Sequence, residues 1–298
     1  MSYRPPKSRA RRASAALVLA ALIVAPISAQ ATPQVVTEID TSTWSRPSPD
    51  PSGITYLPGS DRFLVVDSEV DETPHWRRAN AWLIDRDGIV QRTLNLTRLT
   101  SEPADVDVFG RTVLISDDTE DEVLFVRRGR DRRLGTGDDI VRRISTHAWG
   151  STDPEGLVRT RRFLFIADGS ESRRAAIYRI NAGRDGRFGT SDDRVLHIDA
   201  RELGLADPEG ITYARRSLYI VSRLGRNRGI VRTSLRGELL ETFDVAGSGL
   251  RRSAGIAVVR GADGSLEAWV TDRGVDNETD PNENDGKIFV FALAGPDA

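Results

Sequence analysis

One short phrase recurs along the chain and decides the fold: PSGITY at residues 51–56 and PEGITY at residues 208–213. Shorter versions occur as PADV (103–106), PEGL (154–157) and SAGIAV (253–258). The starts of these five phrases are separated by 52, 51, 54 and 45 residues. A period of this length indicates that the chain is built from copies of one supersecondary unit.

Each copy continues with the same order of strands. A second apolar run ends in a polar residue in every copy: RFLVVD (62–67), TVLISD (112–117), FLFIAD (163–168), SLYIVS (217–222) and EAWVTD (267–272). These runs are rich in β-branched and aromatic residues, which favour strands. A third and a fourth strand follow, as in AWLID (81–85) and IVQRTL (89–94). Four antiparallel strands per repeat are typical of a β-propeller blade, so we predict an all-β fold.

The repeats favour five blades. Six blades remain an alternative, because residues 32–298 also divide into six units of about 45 residues. The fifth unit has three strands, the last being KIFVFA (287–292). The segment VVTEID (35–40) can supply the fourth strand, and we expect this pairing to close the ring and leave no long exposed edge.

Residues 1–31 have the pattern of an export signal. Five basic residues precede an apolar stretch of about eleven residues, well short of the ~20 that span a bilayer, and small residues follow at 29–31. A retained membrane anchor is the less favoured alternative. We therefore predict a signal peptide over 1–31, a single propeller domain over 32–298, no membrane span after cleavage, and a secreted or periplasmic location.

The predicted mature chain is acidic, with 37 Lys and Arg against 44 Asp and Glu. This balance argues against a nucleic-acid partner. The chain contains no Cys, so an exported protein of this sequence depends on its core and on bound ions rather than on disulfides. We expect a monomer.

Carboxylates are predicted to gather at one mouth of the central channel. In a propeller the starts of first strands and the ends of second strands converge there. The predicted set is Asp67, Asp105, Asp117, Glu155, Asp168, Glu209 and Asp272. So many carboxylates repel one another unless a cation, Arg or water compensates, and Ca²⁺ is the oxygen-preferring ion that fits best. The equally weighted alternative is turn chemistry, because Asp-Pro-Glu-Gly occurs at 153–156 and 207–210.

Two related loops suggest structural calcium sites away from the channel mouth. They are GRDRRLGTGDD (129–139) and GRDGRFGTSDD (183–193), each between a third and a fourth strand. The candidate ligands are Asp131, Asp138, Asp139, Asp185, Asp192 and Asp193. Closely spaced Asp with Gly can wrap one ion, although a glycine-rich hairpin with solvated Asp is the alternative. The second copy is the stronger candidate, because Arg132 in the first copy replaces Gly186.

A third acidic segment, at residues 272–286, is either an ordered calcium loop or a plain solvated loop. Its candidate ligands are Asp276, Asp280 and Asp285. Two histidines, His75 and His147, fall beside tryptophans on the channel-mouth face and are candidate catalytic bases, with aromatic packing as the favoured alternative.

The phrase GITY (53–56), followed by FLVVDSE (63–69) and by two copies of Asp-Pro-Glu-Gly, resembles exported bacterial propellers of the SdiA-regulated and phytase-like (esterase-like) families. It is more distantly similar to NHL repeats and to the regucalcin/gluconolactonase propellers. The latter resemblance implies a divalent ion held by Glu155 or Glu209 with Asp168 or Asp272, which would activate water. The phytase-like resemblance implies phosphoester hydrolysis with calcium and cationic phosphate ligands.

Two functions follow from these observations. The first is a secreted calcium-binding propeller that acts as a binding module for an unidentified small molecule or extracellular protein. The second is a metal-dependent hydrolase of ester, lactone or phosphoester bonds at the channel mouth, with His75 or His147 as base. The sequence has no phosphate loop, dinucleotide fingerprint or nucleophilic-serine motif, so Ca²⁺ is the one cofactor predicted.

Overall fold

The structure is a computed structural model that describes residues 1, 30–169, 175–225, 229–277 and 279–293. Most of the predicted export signal (residues 2–29) lies outside the described residues. Within them the regular secondary structure is almost entirely β-strand, with four short 3-10 turns at Thr41–Thr43, Val70–Glu72, Thr146–Trp149 and Ala200–Leu203. No helix in this part of the chain is long and apolar enough to cross a membrane.

The strands form five antiparallel sheets arranged as the blades of a propeller. Two strands precede the first full blade: β1 (Gln30–Ala31) and β2 (Gln34–Asp40). Blade 1 contains β3 (Pro51–Leu57), β4 (Arg62–Asp67), β5 (Ala81–Ile84) and β6 (Val90–Leu94). Blade 2 contains β7 (Pro103–Phe109), β8 (Thr112–Asp117), β9 (Glu122–Arg127) and β10 (Ile140–Ser145). Blade 3 contains β11 (Pro154–Arg159), β12 (Phe163–Asp168), β13 (Ala176–Asn181) and β14 (Arg194–Asp199).

The remaining two blades complete the ring. Blade 4 contains β15 (Leu205–Ala214), β16 (Ser217–Gly225), β17 (Gly229–Thr233) and β18 (Leu239–Asp244). Blade 5 contains β19 (Ser253–Arg260), β20 (Leu266–Asp272) and β21 (Lys287–Leu293), and its fourth strand is β2. The five-blade prediction is therefore confirmed, and the alternative of six blades is wrong.

Closure of the ring also follows the prediction. Strand β2 pairs antiparallel with β21, with Ile39 opposite Ile288. A feature that the sequence did not predict is β1, which adds in parallel to the outer edge of blade 4, with Gln30 opposite Thr242. The pairing of β2 with the last strand, β21, thus joins the two ends of the propeller within blade 5, as a closed ring requires.

The glycine of the repeated phrase is required by the closeness of neighbouring inner strands. A Cβ on Gly53 would lie 2.6 Å from the Cα of Asp105, and a Cβ on Gly255 would lie 2.7 Å from the Cα of Gly53. Real Cβ atoms do not approach other atoms so closely, so glycine is the residue that lets the first strands meet at the axis. Blade 2 departs from the pattern, because Asp105 occupies the corresponding position.

Apolar side chains fill the space between adjacent blades. Phe63 of blade 1 stacks on Trp269 of blade 5 with ring centroids 3.9 Å apart. Trp82 is fully buried in the same cluster and donates from Nε1 to the carbonyl oxygen of Arg46 at 2.8 Å. Burial of such large aromatic side chains is the main favourable term in holding the blades together. The rigid ring fixes the loops that form the channel mouth.

Candidate functional site

The aspartates that end the second strands stabilise the loops that enter each blade. Asp67 is completely buried and accepts four hydrogen bonds. Its Oδ2 accepts from the hydroxyl of Ser48 at 2.7 Å and from the amide of Asp50 at 3.0 Å. Its Oδ1 accepts from the amides of Glu69 and Val70 at 3.2 and 2.8 Å. Burial raises the pKa of Asp67, and the hydrogen bonds oppose that rise.

The same contact recurs around the ring with fewer bonds. Asp117 accepts from the Thr100 hydroxyl at 2.6 Å and from an amide at 3.0 Å, and Asp168 accepts from the Thr152 amide at 3.0 Å. Asp272 accepts from the amides of residues 251, 252 and 274 at 3.0, 2.6 and 3.2 Å. Blade 4 has Ser222 at this position. These carboxylates therefore have a structural role, and a metal-binding role for them stays a prediction.

Asp105 lies at the propeller axis, where its side chain links the first strands of blades 2 and 3. Its Oδ2 accepts from the amide of Leu157 in blade 3 at 3.0 Å, and its Oδ1 is buried without a hydrogen bond. Burial raises the pKa of Asp105 well above its ordinary value. Among the described residues, Asp105 does not form a group of three potential metal ligands with the other predicted channel-mouth residues.

A buried arginine is the centre of the channel mouth. Arg273 immediately follows β20, and its side chain is 9% exposed. Its guanidinium nitrogens lie 3.7 Å from Asp50 Oδ1, 3.6 Å from Glu69 Oε1 and 3.8 Å from Glu155 Oε2. Burial alone would lower the pKa of Arg273, but these carboxylates and Glu209 raise it well above its ordinary value. The guanidinium is therefore charged at any physiological pH, and it sits at ion-pair distance from three acids rather than bonded closely to one.

The two glutamates of the Asp-Pro-Glu-Gly copies both reach this centre. Burial raises the pKa of Glu209 to about 7, even though Arg273 lowers it. Burial raises the pKa of Glu155 well above its usual range, and the charge of Glu209 raises it further. Arg223 pairs with Asp207 at 2.6 Å and lies 3.4 Å from Glu209 Oε1. Ionised glutamates are thus only partly compensated here, and a proton or a cation is needed to balance them.

Counting charges among the described residues around Arg273 gives an excess of acid. Seven carboxylates interact with Arg273 or with its neighbours: Asp50, Glu69, Asp118, Glu155, Asp207, Glu209 and Asp276. Three guanidinium groups face them: Arg223, Arg252 and Arg273. Arg252 is committed to Asp276 at 2.5 Å. The described residues therefore leave a net negative charge that is shielded from water.

One group of three carboxylates has the geometry to hold an ion. Asp50, Glu69 and Asp276 each offer an oxygen, and these atoms lie within 4.8 Å of one another, the one such group among the described residues. Asp50 is 0% exposed, its Oδ1 accepts no hydrogen bond, and burial raises its pKa well above the ordinary value. The amide of Asn277 donates to Asp50 Oδ2 at 3.3 Å, and the Oδ1 of Asn277 is also buried without a hydrogen bond. Carboxylate and amide oxygens of this kind suit a hard cation such as Ca²⁺.

A cavity of about 270 Å³ adjoins this group, and we call it the acidic cavity. Its walls include Glu69, Glu72, Glu102, Asp118, Thr73, Thr119, Asn277 and Pro281. It shares Glu69 with the three-carboxylate group, and Asn277 connects it to Asp50. Burial raises the pKa of Glu102 and of Asp118. The cavity therefore favours a ligand that brings positive charge.

The loop from 273 to 286 is folded by its own contacts over the channel mouth. Of its three predicted ligands, Asp276 joins the three-carboxylate group. Asp285 accepts from the amide of Val275 at 2.9 Å and pairs with Arg251 at 2.9 Å, whereas Asp280 accepts from the amide of Asn282 at 3.0 Å. Asp280 and Asp285 thus shape the loop, and their metal-binding role stays a prediction. Burial and the neighbouring Asp285 raise the pKa of Glu283, in the same loop, to about 9.

In the two glycine-rich rim loops, backbone amides donate to one oxygen of Asp139 and of Asp193, whereas Oδ1 of each is buried without a hydrogen bond. Asp139 Oδ2 accepts from the amides of residues 135 and 136, and Asp193 Oδ2 accepts from those of residues 189 and 190. Asp138 and Asp192 accept from amides seven or eight residues earlier in the chain. Asp131 and Asp185 each accept from the amide two residues ahead, at 2.8 Å. These contacts are turn chemistry, so calcium in the rim loops stays a prediction.

Neither histidine contacts the carboxylates of the channel mouth in the part of the chain that is described. His75 Nε2 lies 3.2 Å from the carbonyl oxygen of Asn282. His147 Nε2 pairs with Asp121 at 3.0 Å, and its side chain is 59% exposed. Their role as catalytic bases stays a prediction.

Asp50 is the residue that the sequence reasoning missed, although a signal for it exists. An acid precedes the proline that starts the first strand in four blades: Asp50, Glu102, Asp153 and Asp207. Only two of these copies continue as Pro-Glu-Gly, so the acid recurs more widely than the full Asp-Pro-Glu-Gly motif. In blade 5 the corresponding position is Arg252, which pairs with Asp276. The acid-proline repeat thus places one carboxylate at the mouth in each of four blades, and burial raises the pKa of Asp153 to about 6.

The sequence matches no known family model and no curated protein. Among solved structures, the chain is similar to the glutaminyl cyclase of Myxococcus xanthus, with a TM-score of 0.55 and 10% identity over 89% of this chain and 99% of that one. It is also similar to CoXyl43, a GH43 β-xylosidase/α-arabinofuranosidase from a compost microbial metagenome, with a TM-score of 0.52 and 10% identity over 90% of this chain and 97% of that one. The calcium-binding protein regucalcin from Agrobacterium tumefaciens matches with a TM-score of 0.48 and 12% identity over 90% of this chain and 98% of that one.

These neighbours are β-propellers, and at such low identity the likeness shows the fold alone. The narrower resemblance to SdiA-regulated and phytase-like proteins stays a prediction. The chain is a five-bladed β-propeller, and its function must be argued from its acidic channel mouth.

Proposed function

We propose that the protein is an exported binding module whose channel mouth binds a calcium ion at Asp50, Glu69 and Asp276 and a positively charged ligand in the acidic cavity. The ion would complete a site whose oxygens already lie together. The ligand, a small molecule or a segment of an extracellular protein, would occupy the space that shares Glu69 with that site.

The observation that carries the proposal is the state of Asp50. Its carboxylate is 0% exposed, and Oδ1 has no hydrogen bond to compensate the loss of water. The nearest cationic atom, Nε of Arg273, is 3.7 Å away, beyond hydrogen-bond distance. An uncompensated buried carboxylate costs several kcal/mol, so this oxygen favours either a proton or a cation. Two further carboxylates within reach make a divalent cation the better partner.

The calcium affinity expected of this group of carboxylates suits an exported protein. Three carboxylates close to the positive charges of Arg252 and Arg273 make a weaker site than a loop dedicated to calcium. Extracellular modules bind calcium with dissociation constants of about 10⁻⁴–10⁻³ M, which matches the calcium concentration outside cells rather than inside. The predicted secretion and the proposed ion therefore support one another.

Calcium binding is tested by thermal unfolding of the mature protein after chelation, with Ca²⁺ added in steps. At a calcium concentration about 100 times the dissociation constant, we expect a stabilisation of about 2.7 kcal/mol. Asp50→Asn should abolish the calcium response because it removes the central charge and keeps the shape. Asp263→Asn is the matched control, since Asp263 lies in an exposed turn and caps it. An unchanged response in Asp50→Asn would refute the site.

A second candidate function, hydrolysis, is favoured by the raised pKa values of Glu209 and Asp153. Their pKa values of about 7 and about 6 suit groups that donate or accept a proton near neutral pH. As a hypothesis, an ion at the mouth would polarise an ester, lactone or phosphoester and Glu209 would transfer the proton. Calcium-dependent turnover of any member of such a panel, lost in Glu209→Gln, would support this function. No turnover with a calcium site intact would leave the binding module as the function.

A further inference from the structure

A second cavity opens between blades 1 and 2, at the end of the blades away from the channel mouth, and we call it the arginine cleft. Its volume is about 170 Å³. Leu57 at the end of β3, Leu83 of β5 and Leu134 of the loop between β9 and β10 form apolar walls. The floor is the open end of the apolar cluster that joins the two blades. These residues therefore form an apolar part of the wall, although the cavity is open to water.

The equivalent cleft between blades 2 and 3 is filled by the protein itself. Phe188 of the second rim loop is 4% exposed and packs against Phe125 of β9, with ring centroids 6.0 Å apart. Arg159 lies over the Phe188 ring at 4.6 Å. Aromatic rings and a guanidinium group thus close this cleft.

The repeat shows why the first cleft stays open. Leu134 in the first rim loop corresponds to Phe188 in the second, and Leu83 of β5 corresponds to Phe125 of β9. Two leucines therefore stand where the neighbouring cleft has two phenylalanine rings. The missing rings leave a space close to that of an engineered cavity of about 150 Å³ that binds benzene. The space that is left fits one aromatic ring or a short aliphatic chain.

Positive charge surrounds this space. Four arginines line it, namely Arg92, Arg111, Arg128 and Arg132, and no carboxylate belongs to its described walls. Among the described residues none of the four forms an ion pair; Arg128 donates to the carbonyl oxygen of Arg132 at 3.5 Å. In the neighbouring cleft Arg142, which corresponds to Arg92, stacks on Phe125 at 5.2 Å and donates to the Phe188 carbonyl oxygen at 2.9 Å. Arg92 has neither ring to stack on.

We propose that the arginine cleft binds a small apolar carboxylate, such as an arylacetate, with its ring between Leu83 and Leu134 and its carboxylate among the four arginines. The ring takes the place that Phe188 and Phe125 fill one blade further on. The guanidinium groups supply planar, paired donors that match a carboxylate. This site is separate from the channel mouth and does not depend on calcium.

The test uses phenylacetate as the probe and the mature protein, with binding measured by calorimetry and by ligand-observed NMR. We expect saturable binding with a dissociation constant of about 1 mM or lower. Benzylamine, which has the same ring and the opposite charge, should bind at least tenfold more weakly. The double change Arg92→Gln with Arg111→Gln should weaken phenylacetate binding at least fivefold, whereas Arg142→Gln, at the matched position in the filled cleft, should leave it unchanged.

The decisive variant is Leu134→Phe, which copies Phe188 and fills the cleft. We expect it to fold with an unchanged or raised Tm and to lose phenylacetate binding at least tenfold. Leu83→Phe, which copies Phe125, gives a second route to the same result if Leu134→Phe does not fold. The proposal is overturned if both phenylalanine variants bind phenylacetate as the parent does. Equal binding of benzylamine, or no saturable binding up to about 10 mM phenylacetate, would also overturn it.

Discussion

The channel mouth and the rim loops are both rich in aspartate, yet the structure compensates their carboxylates to different extents. In the rim loops, Asp139 and Asp193 are partly exposed, and Oδ2 of each accepts from two backbone amides of its own turn, although Oδ1 of each has no hydrogen bond. At the channel mouth, Asp50 is completely buried, its Oδ1 also has no hydrogen bond, and its Oδ2 accepts from one amide at 3.3 Å. The rim carboxylates are therefore better compensated than Asp50, which has fewer donors and no contact with water.

This difference means that acidic residues in a repeated pattern do not by themselves indicate an ion site. The informative quantity is the number of donors available to each carboxylate in the folded chain. Asp67 shows the same principle within the channel mouth, because four donors satisfy it although it is as buried as Asp50. Three kinds of carboxylate can therefore be separated by experiment: one that holds a loop, one that holds an ion, and one that caps a turn.

The largest loss of stability is expected when the carboxylate of Asp67, which holds a loop, is removed. Asp67→Ala leaves four buried donors without an acceptor and should lower the free energy of unfolding by about 4 kcal/mol, since bonds to a charged acceptor are worth about 1.5–3 kcal/mol each and are not additive. For a chain of this size the loss corresponds to a Tm lower by roughly 8–16 °C. The measurement is thermal or denaturant unfolding.

Asp117→Ala is the matched comparison for Asp67→Ala. Asp117 ends the second strand of blade 2 and accepts two hydrogen bonds instead of four, so its loss should be about half as large. Both variants should keep the full stabilisation by added calcium. If Asp67→Ala were to lose the calcium response while remaining folded, Asp67 would be a ligand and the separation between the two kinds of carboxylate would fail.

A somewhat smaller loss of stability is expected when the pH is raised, because Glu209 then releases its proton. The folded protein keeps the proton of Glu209 up to its pKa of about 7, whereas an ordinary Glu releases it near 4.5. Between these values the folded state binds more protons than the unfolded state, so the free energy of unfolding falls as the pH rises. In the absence of calcium this fall should amount to about 3 kcal/mol between pH 4.5 and pH 8.

Glu209→Gln isolates that contribution because the amide does not titrate. We expect its stability to change less steeply over the same pH range and to exceed that of the parent at pH 8. Calcium should also reduce the slope in the parent protein, since added positive charge at the mouth favours the ionised glutamate. A slope that is identical in Glu209→Gln would show that other groups, such as Glu283 with its pKa of about 9, set the pH dependence.

The repeated phrase was sufficient to predict the fold. Its period, the strand composition and the N-terminal segment 35–40 led to five blades and to the pairing that closes the ring, because these features depend on local pattern and on chain length. The arrangement of the site could be predicted only in part. Glu155 and Glu209 were expected at the mouth and both lie beside Arg273.

The remaining features of the site depend on contacts between residues that are far apart in the sequence, which no local pattern predicts. Asp50 and Asp276 are more than two hundred residues apart, and they come together only because the ring closes and the loop 273–286 folds back over blade 1. The burial of Arg273 among three carboxylates, which separates it from the exposed arginines of the chain, depends on such long-range contacts as well. The rim aspartates have the composition of a calcium loop, and only the folded structure shows that the turns bind one oxygen of Asp139 and of Asp193 and leave the other without a hydrogen bond.

The smallest loss of stability is expected from a change in the rim loops, at Asp193. Its Oδ2 accepts from the Trp149 indole at 2.7 Å as well as from two backbone amides, so the carboxylate holds the loop against blade 2. Asp193→Asn keeps one acceptor oxygen but loses the charge that strengthens these bonds, and the free energy of unfolding should fall by about 1 kcal/mol. Because the bonds are internal to the protein, the loss should be the same with calcium and with chelator. A larger loss in calcium than in chelator would mean that the rim loop binds the ion, and the number of donors would then no longer distinguish the two regions.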